Sequence, residues 1–181
     1  MFISILDRIY TGFIALGILF LSGYTGNDVQ IGNFEVAINN ELVVFSGSLI
    51  DAFEHDFEEI FLSGLVVTII FDVRVTNNKN LLERKRFTHS VYRDIEYRHW
   101  VIYLNGYEIV TVDYAEMKEI LSRFNTEFIF NLQNYESLDF HVTAQIQNLR
   151  IPTRDKELEL MLLWKRKVPS GKTSVQTQAI R

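Results

Sequence analysis

The stretch LVVTIIFDVRV, Leu65 to Val75, alternates: Leu65, Val67, Ile69, Phe71, Val73 and Val75 share one parity, while Thr68, Asp72 and Arg74 share the other. Successive side chains of a strand point to opposite faces, so the pattern predicts a long strand with one buried face. RFTHSVYRDIEYR, Arg86 to Arg98, repeats it, with Phe87, Val91, Ile95 and Tyr97 set against Thr88, Ser90, Asp94, Glu96 and Arg98. From Trp100 the apolar set moves to even numbers through Ile102 and Leu104, which predicts a bulge or tight bend near Arg98 and His99.

Working outward, NFEVAI, EFIFNL, DFHVTAQIQ and ELELMLLWK each alternate as well. Asn39-Asn40 before ELVVFSGSL and Asn105-Gly106 before YEIVTV read as two-residue hairpin turns. Two segments carry a helical period instead. In SLIDAFEHDFEEIFLSGL, Phe53, Phe57, Ile60 and Phe61 form one stripe, which predicts a helix from Asp51 to Leu62 capped by Ser48 or Asp51 and ended by Gly64. In DYAEMKEILSRFN, Asp113 and Glu116 have capping-box spacing, and Tyr114, Met117, Ile120, Leu121 and Phe124 form the apolar side. The predicted fold is therefore mainly β, an antiparallel β-sandwich of about eight or nine strands with two short amphipathic helices. An N-terminal hydrophobic helix precedes it.

That helix comes from the run Ile9 to Leu21, which has no charge on it and none after it until Asp28. It is short for a membrane span, which needs about 20 apolar residues, and suits the apolar part of a secretory signal. Leu21-Ser22-Gly23 offers a cleavage site with Tyr24 as the new N-terminus. Beyond the run lie Asp28, Glu35 and Glu41, with no Lys or Arg until Arg74, a bias that keeps the N-terminus inside and sends the body out. The expected organisation is a signal peptide or N-terminal membrane anchor over residues 1–26, a β-sandwich domain over 27–167, and a disordered polar tail over 168–181. The expected location is periplasmic or otherwise extracytoplasmic, anchored in the inner membrane if the leader is uncleaved.

The net charge of -5, not concentrated in a block, disfavours nucleic acid, which needs a basic surface. With no cysteine, disulfides and thiolate metal sites are excluded, so stability rests on the core that 14 Phe and 8 Tyr supply.

The order of elements, a hairpin, a helix ending at Gly64, LVVTIIFDV, then YRDIEYRHWVIYLNGYEI with Tyr92, Arg93, Tyr97 and Tyr107, and a final Pro169-Ser170, resembles the bacterial family called domain of unknown function 4390. The resemblance covers roughly Asn33 to Ser170, and the chain departs from it around Ile151 to Asp155. It implies an exported or membrane-tethered protein of the cell envelope and carries over no catalytic residue.

Three features could carry chemistry. EHDFEE puts His55 and Glu59 four apart, but a zinc site needs at least three protein ligands, and a solvated helix face is the ordinary reading. His89 and Arg93 lie on the parity of the apolar set, with His99 nearby; a buried Arg must be paired, so a structural pair network is preferred over an anion site. Arg84, Lys85 and Arg86 form a basic cluster, read as a loop, that could meet lipid phosphates. No nucleophile elbow, phosphate loop or paired-histidine zinc motif occurs. No catalytic residue, metal or cofactor is assigned; His89, Arg93, His99, Arg84, Lys85 and Arg86 are the candidate binding residues. The leading expectation is a non-catalytic envelope domain that binds a membrane or envelope protein through a sheet edge or helix-flanked groove, in an oligomeric state left open. A carrier or sensor of an apolar or anionic small molecule between the sheets is the alternative, and an enzyme using His89, Arg93 and His99 stands third.

Overall fold

In a computed structural model, residues 25–55, 57–151 and 156–177 are described. The expected leader therefore lies outside the described residues, apart from its last two positions. The strands in chain order are β1 (Gln30–Asn39), β2 (Leu42–Ile50), β3 (Val67–Asn77), β4 (Asn80–Asp94), β5 (His99–Leu104), β6 (Tyr107–Thr111), β7 (Arg123–Ile129), β8 (Ser137–Ile146), β9 (Leu149–Ile151), β10 (Lys156–Leu158) and β11 (Ser170–Gln176). The helices are α1 (Phe57–Leu62) and α2 (Tyr114–Ser122). A six-stranded sheet runs β11-β8-β3-β4-β5-β6, a three-stranded sheet runs β1-β2-β7, and β9 and β10 form a separate hairpin. All pairings are antiparallel.

The alternation in β3 works as its sequence requires. Val67, Ile69, Phe71, Val73 and Val75 are fully buried, and the strand is central, hydrogen-bonded to β4 and β8. The two sheets meet through phenylalanines: Phe45 of β2 stacks on Phe140 of β8 at 4.7 Å between centroids, and Phe124 of β7 meets Phe71 at 5.2 Å. Each ring fully buried contributes about 1.5 to 3 kcal/mol, so these phenylalanines of the strands fill the space between the sheets.

The hairpins follow turn chemistry. Asn105-Gly106 forms the expected two-residue turn, both residues having positive φ (51° and 92°). Asn78-Lys79, not anticipated, joins β3 to β4 in the same way with φ of 48° and 69°. The first turn is shifted by one residue from expectation: Asn39 pairs with Leu42, leaving Asn40-Glu41 in the loop, because left-handed Asn40 (φ 54°) starts the reversal. The parity change at Trp100 is the tight bend of the two expected alternatives, a hairpin turn over residues 95–98 with Arg98 at φ 56°, and not a bulge. Asp94 pairs with His99, and the side chain of Asp94 accepts hydrogen bonds from the N–H groups of Glu96 (2.9 Å) and Tyr97 (3.1 Å), which closes the turn.

Three further expectations are corrected. Helix α1 spans Phe57–Leu62, not Asp51 to Leu62, although Phe53, Phe57, Ile60 and Phe61 are all buried as the stripe required. The reason is Asn27. Its buried side-chain oxygen accepts from the N–H groups of Glu54 (3.1 Å) and His55 (2.9 Å), and its amide donates to the carbonyls of His55 (2.9 Å) and Leu163 (3.1 Å). Asp51 has φ of 55° and Ser48 belongs to β2, so neither caps a helix. Second, ELELMLLWK is not a strand throughout: Leu160–Trp164 is a short 3-10 helix that buries Leu160, Leu163 and Trp164, with the Trp164 indole donating to the Ala52 carbonyl at 3.0 Å. Third, the tail expected to be disordered contributes β11, paired with β8 along its whole length from Ser170 to Gln176. Gly171 makes this possible, since a Cβ there would come within 2.3 Å of the Phe34 ring.

Helix α2 starts as predicted at Asp113, whose carboxylate accepts from the N–H groups of Ala115 (2.7 Å) and Glu116 (3.1 Å). Glu116 does not complete the box. It accepts instead from the Thr111 hydroxyl, and Thr111 Oγ1 takes the Asp113 N–H at 3.1 Å. Among the described residues, no helix is long and apolar enough to cross a membrane.

Candidate functional site

Three strands cannot cover six. The small sheet lies over β8 and β3, and α2 continues the cover over β5, where Trp100 meets Tyr114 at 5.6 Å. The far end of the β5–β6 hairpin is left open. There a cleft of about 840 Å³ forms between β7, the end of α2 and the Asn105-Gly106 turn. Leu104, Ile120, Phe124 and His89 supply its apolar wall, and Glu35, Ser46, Ser48, Arg123 and Asn125 supply a polar one. Its size falls within the usual range for ligand pockets. Arg123 on the rim is exposed and ion-paired to Glu119 one helical turn away.

His89 is buried, at 2% exposure, between the rings of Phe71 (4.9 Å) and Phe87 (5.7 Å). Its Nδ1 lies 3.3 Å from the Leu121 carbonyl oxygen, so Nδ1 carries the proton and Nε2 is left as an acceptor. Burial in an apolar site disfavours the imidazolium and pushes the pKa down to about 4, against the smaller opposing pull of the Leu121 carbonyl. The ring is thus neutral near pH 7.

The candidate residues do not converge. Arg93 stacks its guanidinium on Trp100 at 5.1 Å, and among the described residues it forms no ion pair. Among the described residues the expected pair network between His89 and Arg93 does not form: each has an uncharged partner, a carbonyl and an indole. His99 pairs in register with Asp94, one step out of phase with the Arg93 to Trp100 pair, and so lies on the opposite face of the sheet, stacked against Tyr97 at 5.7 Å.

Arg84, Lys85 and Arg86 lie within β4, not in a loop. Alternation therefore splits them. Lys85 turns toward the small sheet, donates to the Glu127 carbonyl of β7 and sits 5.1 Å from the Phe128 ring. Arg84 and Arg86 turn the other way, and Arg84 Nε lies 3.0 and 2.9 Å from the two oxygens of Asp72. That pair holds the Asp72 carboxyl below its ordinary range. In EHDFEE, Glu54 and His55 precede α1 while Glu58 and Glu59 belong to it, and Asp56 lies outside the described residues. Among the described residues no three His, Asp or Glu gather as a metal set.

Sequence reasoning missed the exposure of β6, one of the two edge strands of the six-stranded sheet. Tyr107 is 78% exposed, Val110 51% and, just past the strand, Val112 79%. The signal was present: YEIVTV carries apolar residues on both parities, whereas an edge facing water usually carries charge. Only Glu108 does so here, and it accepts from the Tyr103 hydroxyl at 2.7 Å, which pushes the tyrosine pKa up to about 12.

Comparison with protein families, with curated proteins and with solved structures finds no match to this chain.

Proposed function

We propose that this protein is a non-catalytic domain of the bacterial cell envelope, exported or tethered by its N-terminal segment, that binds an extended polypeptide segment of an envelope partner along β6. The observation that carries the reading is the free edge of β6. Half of its peptide groups point away from β5, with no strand beside them among the described residues. A partner strand would take up those hydrogen bonds, and its apolar side chains would meet Val110 on one face and Tyr107 and Ile109 on the other. Tyr107 also lines the cleft flanked by α2, so a side chain of the bound segment has a place to enter. The separation of His89, Arg93 and His99 favours binding over catalysis. Envelope location rests on the leader and on the family resemblance.

The test is site-specific photocrosslinking in cells from Tyr107 and Val110, with Glu41 at the distant β1–β2 turn as control. One protein captured from both β6 positions and not from Glu41 is the expected result, and the purified partner should slow amide exchange across Tyr107–Thr111. Capture that is equal at all three positions, or a partner that leaves β6 exchange unchanged, would refute the proposal.

A further inference from the structure

The outer face of the six-stranded sheet gathers cations that are far apart in sequence. Phe71, Val73 and Val75 point into the core, so Asp72 and Arg74 point out. Register carries this face across four strands: Asp72 pairs with Arg86 and Arg74 with Arg84 on β4, Arg74 with His141 on β8, and His141 with Lys172 on β11. Among the described residues the only carboxylates within this band are Asp72 and Asp139, in a chain whose net charge is -5. Both are engaged. Asp72 is held by Arg84 and by Arg74 at 3.3 Å, and Asp139 accepts from Ser174 at 2.6 Å. Arg86 and Lys172 are exposed and form no ion pair among the described residues. His141, half-buried between them, has its pKa lowered by burial first and by Lys172 and Arg74 next, the response of an imidazole in a cationic field.

The spread of these cations defines what fits. From β4 to β11 is three strand spacings, about 14 Å. A single phosphate needs several donors within one hydrogen-bond radius, whereas a band this wide on an open sheet face meets several anions held in a plane. The same chain carries the apolar run Ile9 to Leu21 ahead of the described residues, suited to holding the domain beside a bilayer. We propose that this outer face docks on the phosphate groups of an anionic lipid bilayer.

The full chain is floated with vesicles of phosphatidylcholine alone and of phosphatidylcholine with phosphatidylglycerol in equal amounts. The apolar N-terminal run contributes alike to both, so the readout is the extra binding to anionic vesicles. Removing a cation near such a surface costs about 5-fold in binding, so Arg86→Gln with Lys172→Gln should reduce the extra binding about 25-fold. Raised salt should weaken it too. Arg86→Lys with Lys172→Arg should retain it, and Tyr107→Ala, which lies on the opposite face of β6 and changes no charge, should leave it unchanged, which separates this face from the polypeptide site. Both cations are exposed and form no ion pair among the described residues, so the melting temperature of the Gln pair should stay unchanged. Equal binding to the two kinds of vesicle, or extra binding that persists in the Gln pair, overturns the proposal. So does equally tight binding to soluble polyglutamate, which would assign the face to acidic protein.

Discussion

Lowering the pH tests the burial of His89 directly. Its pKa stands at about 4 in the folded chain against an ordinary value of 6.5, because burial resists the charged form. The unfolded chain therefore binds a proton first as pH falls, and stability is lost from about pH 6.5 downward until the folded form also titrates near pH 4. One pH unit of difference is worth about 1.4 kcal/mol, so the loss attributable to His89 is about 2 kcal/mol between pH 7 and pH 5 and about 3 kcal/mol by pH 4. The assay is urea unfolding followed by fluorescence of Trp100 and Trp164, both buried, at pH 7, 6 and 5. His89→Gln keeps a donor for the Leu121 carbonyl but does not titrate. Other histidines and carboxylates act equally in both proteins, so the difference between their pH profiles isolates His89. Parallel profiles from pH 7 to pH 5 would show that the imidazole reaches water and that the packing described for it is wrong.

Phe57→Ala removes a fully buried ring that meets Phe53 at 5.0 Å and Phe61 at 5.4 Å, and should cost about 3 to 5 kcal/mol in chemical denaturation. Asn27→Ala strands the peptide groups its side chain satisfies and should cost about 2 to 4 kcal/mol, with faster amide exchange at Glu54 and His55 as the local signature. Gly171→Ala forces Cβ against Phe34 and the Ile31 carbonyl, so a loss of about 1 to 3 kcal/mol and easier proteolysis of the C-terminal strand are expected. Arg84→Met, by contrast, breaks only an exposed pair with Asp72 and should shift stability by less than about 1 kcal/mol.

The strands were legible where one face is buried and the other wet. β3 reads directly from its alternation, and α2 from Asp113 and its apolar side. β11 was not legible, because SGKTSVQ lies at a sheet edge where backbone pairing to β8 does what apolar side chains do elsewhere. The true start of α1 was hidden for a different reason: the groups that would have extended the helix are taken by Asn27, distant in sequence. The 3-10 helix at Leu160–Trp164 was read as a strand because EL repeats before it. At the site, His89 stood out as a polar residue on an apolar parity. Its partner did not, since Leu121 is brought to it only by the packing of α2 on the sheet.

By itself the sequence determined the mainly β class, the buried parity of the long strands, the Asn105-Gly106 turn and the side on which each helix is apolar, because these follow from periods of 2 and 3.6 and from local turn chemistry. Only tertiary structure decided which strand became a free edge, where the smaller sheet leaves a cleft, and that Arg74, Arg84, Arg86 and Lys172 share one face. Those depend on strand order and register between segments far apart in the chain, and register is settled by how the buried faces pack together, not by any local run of residues.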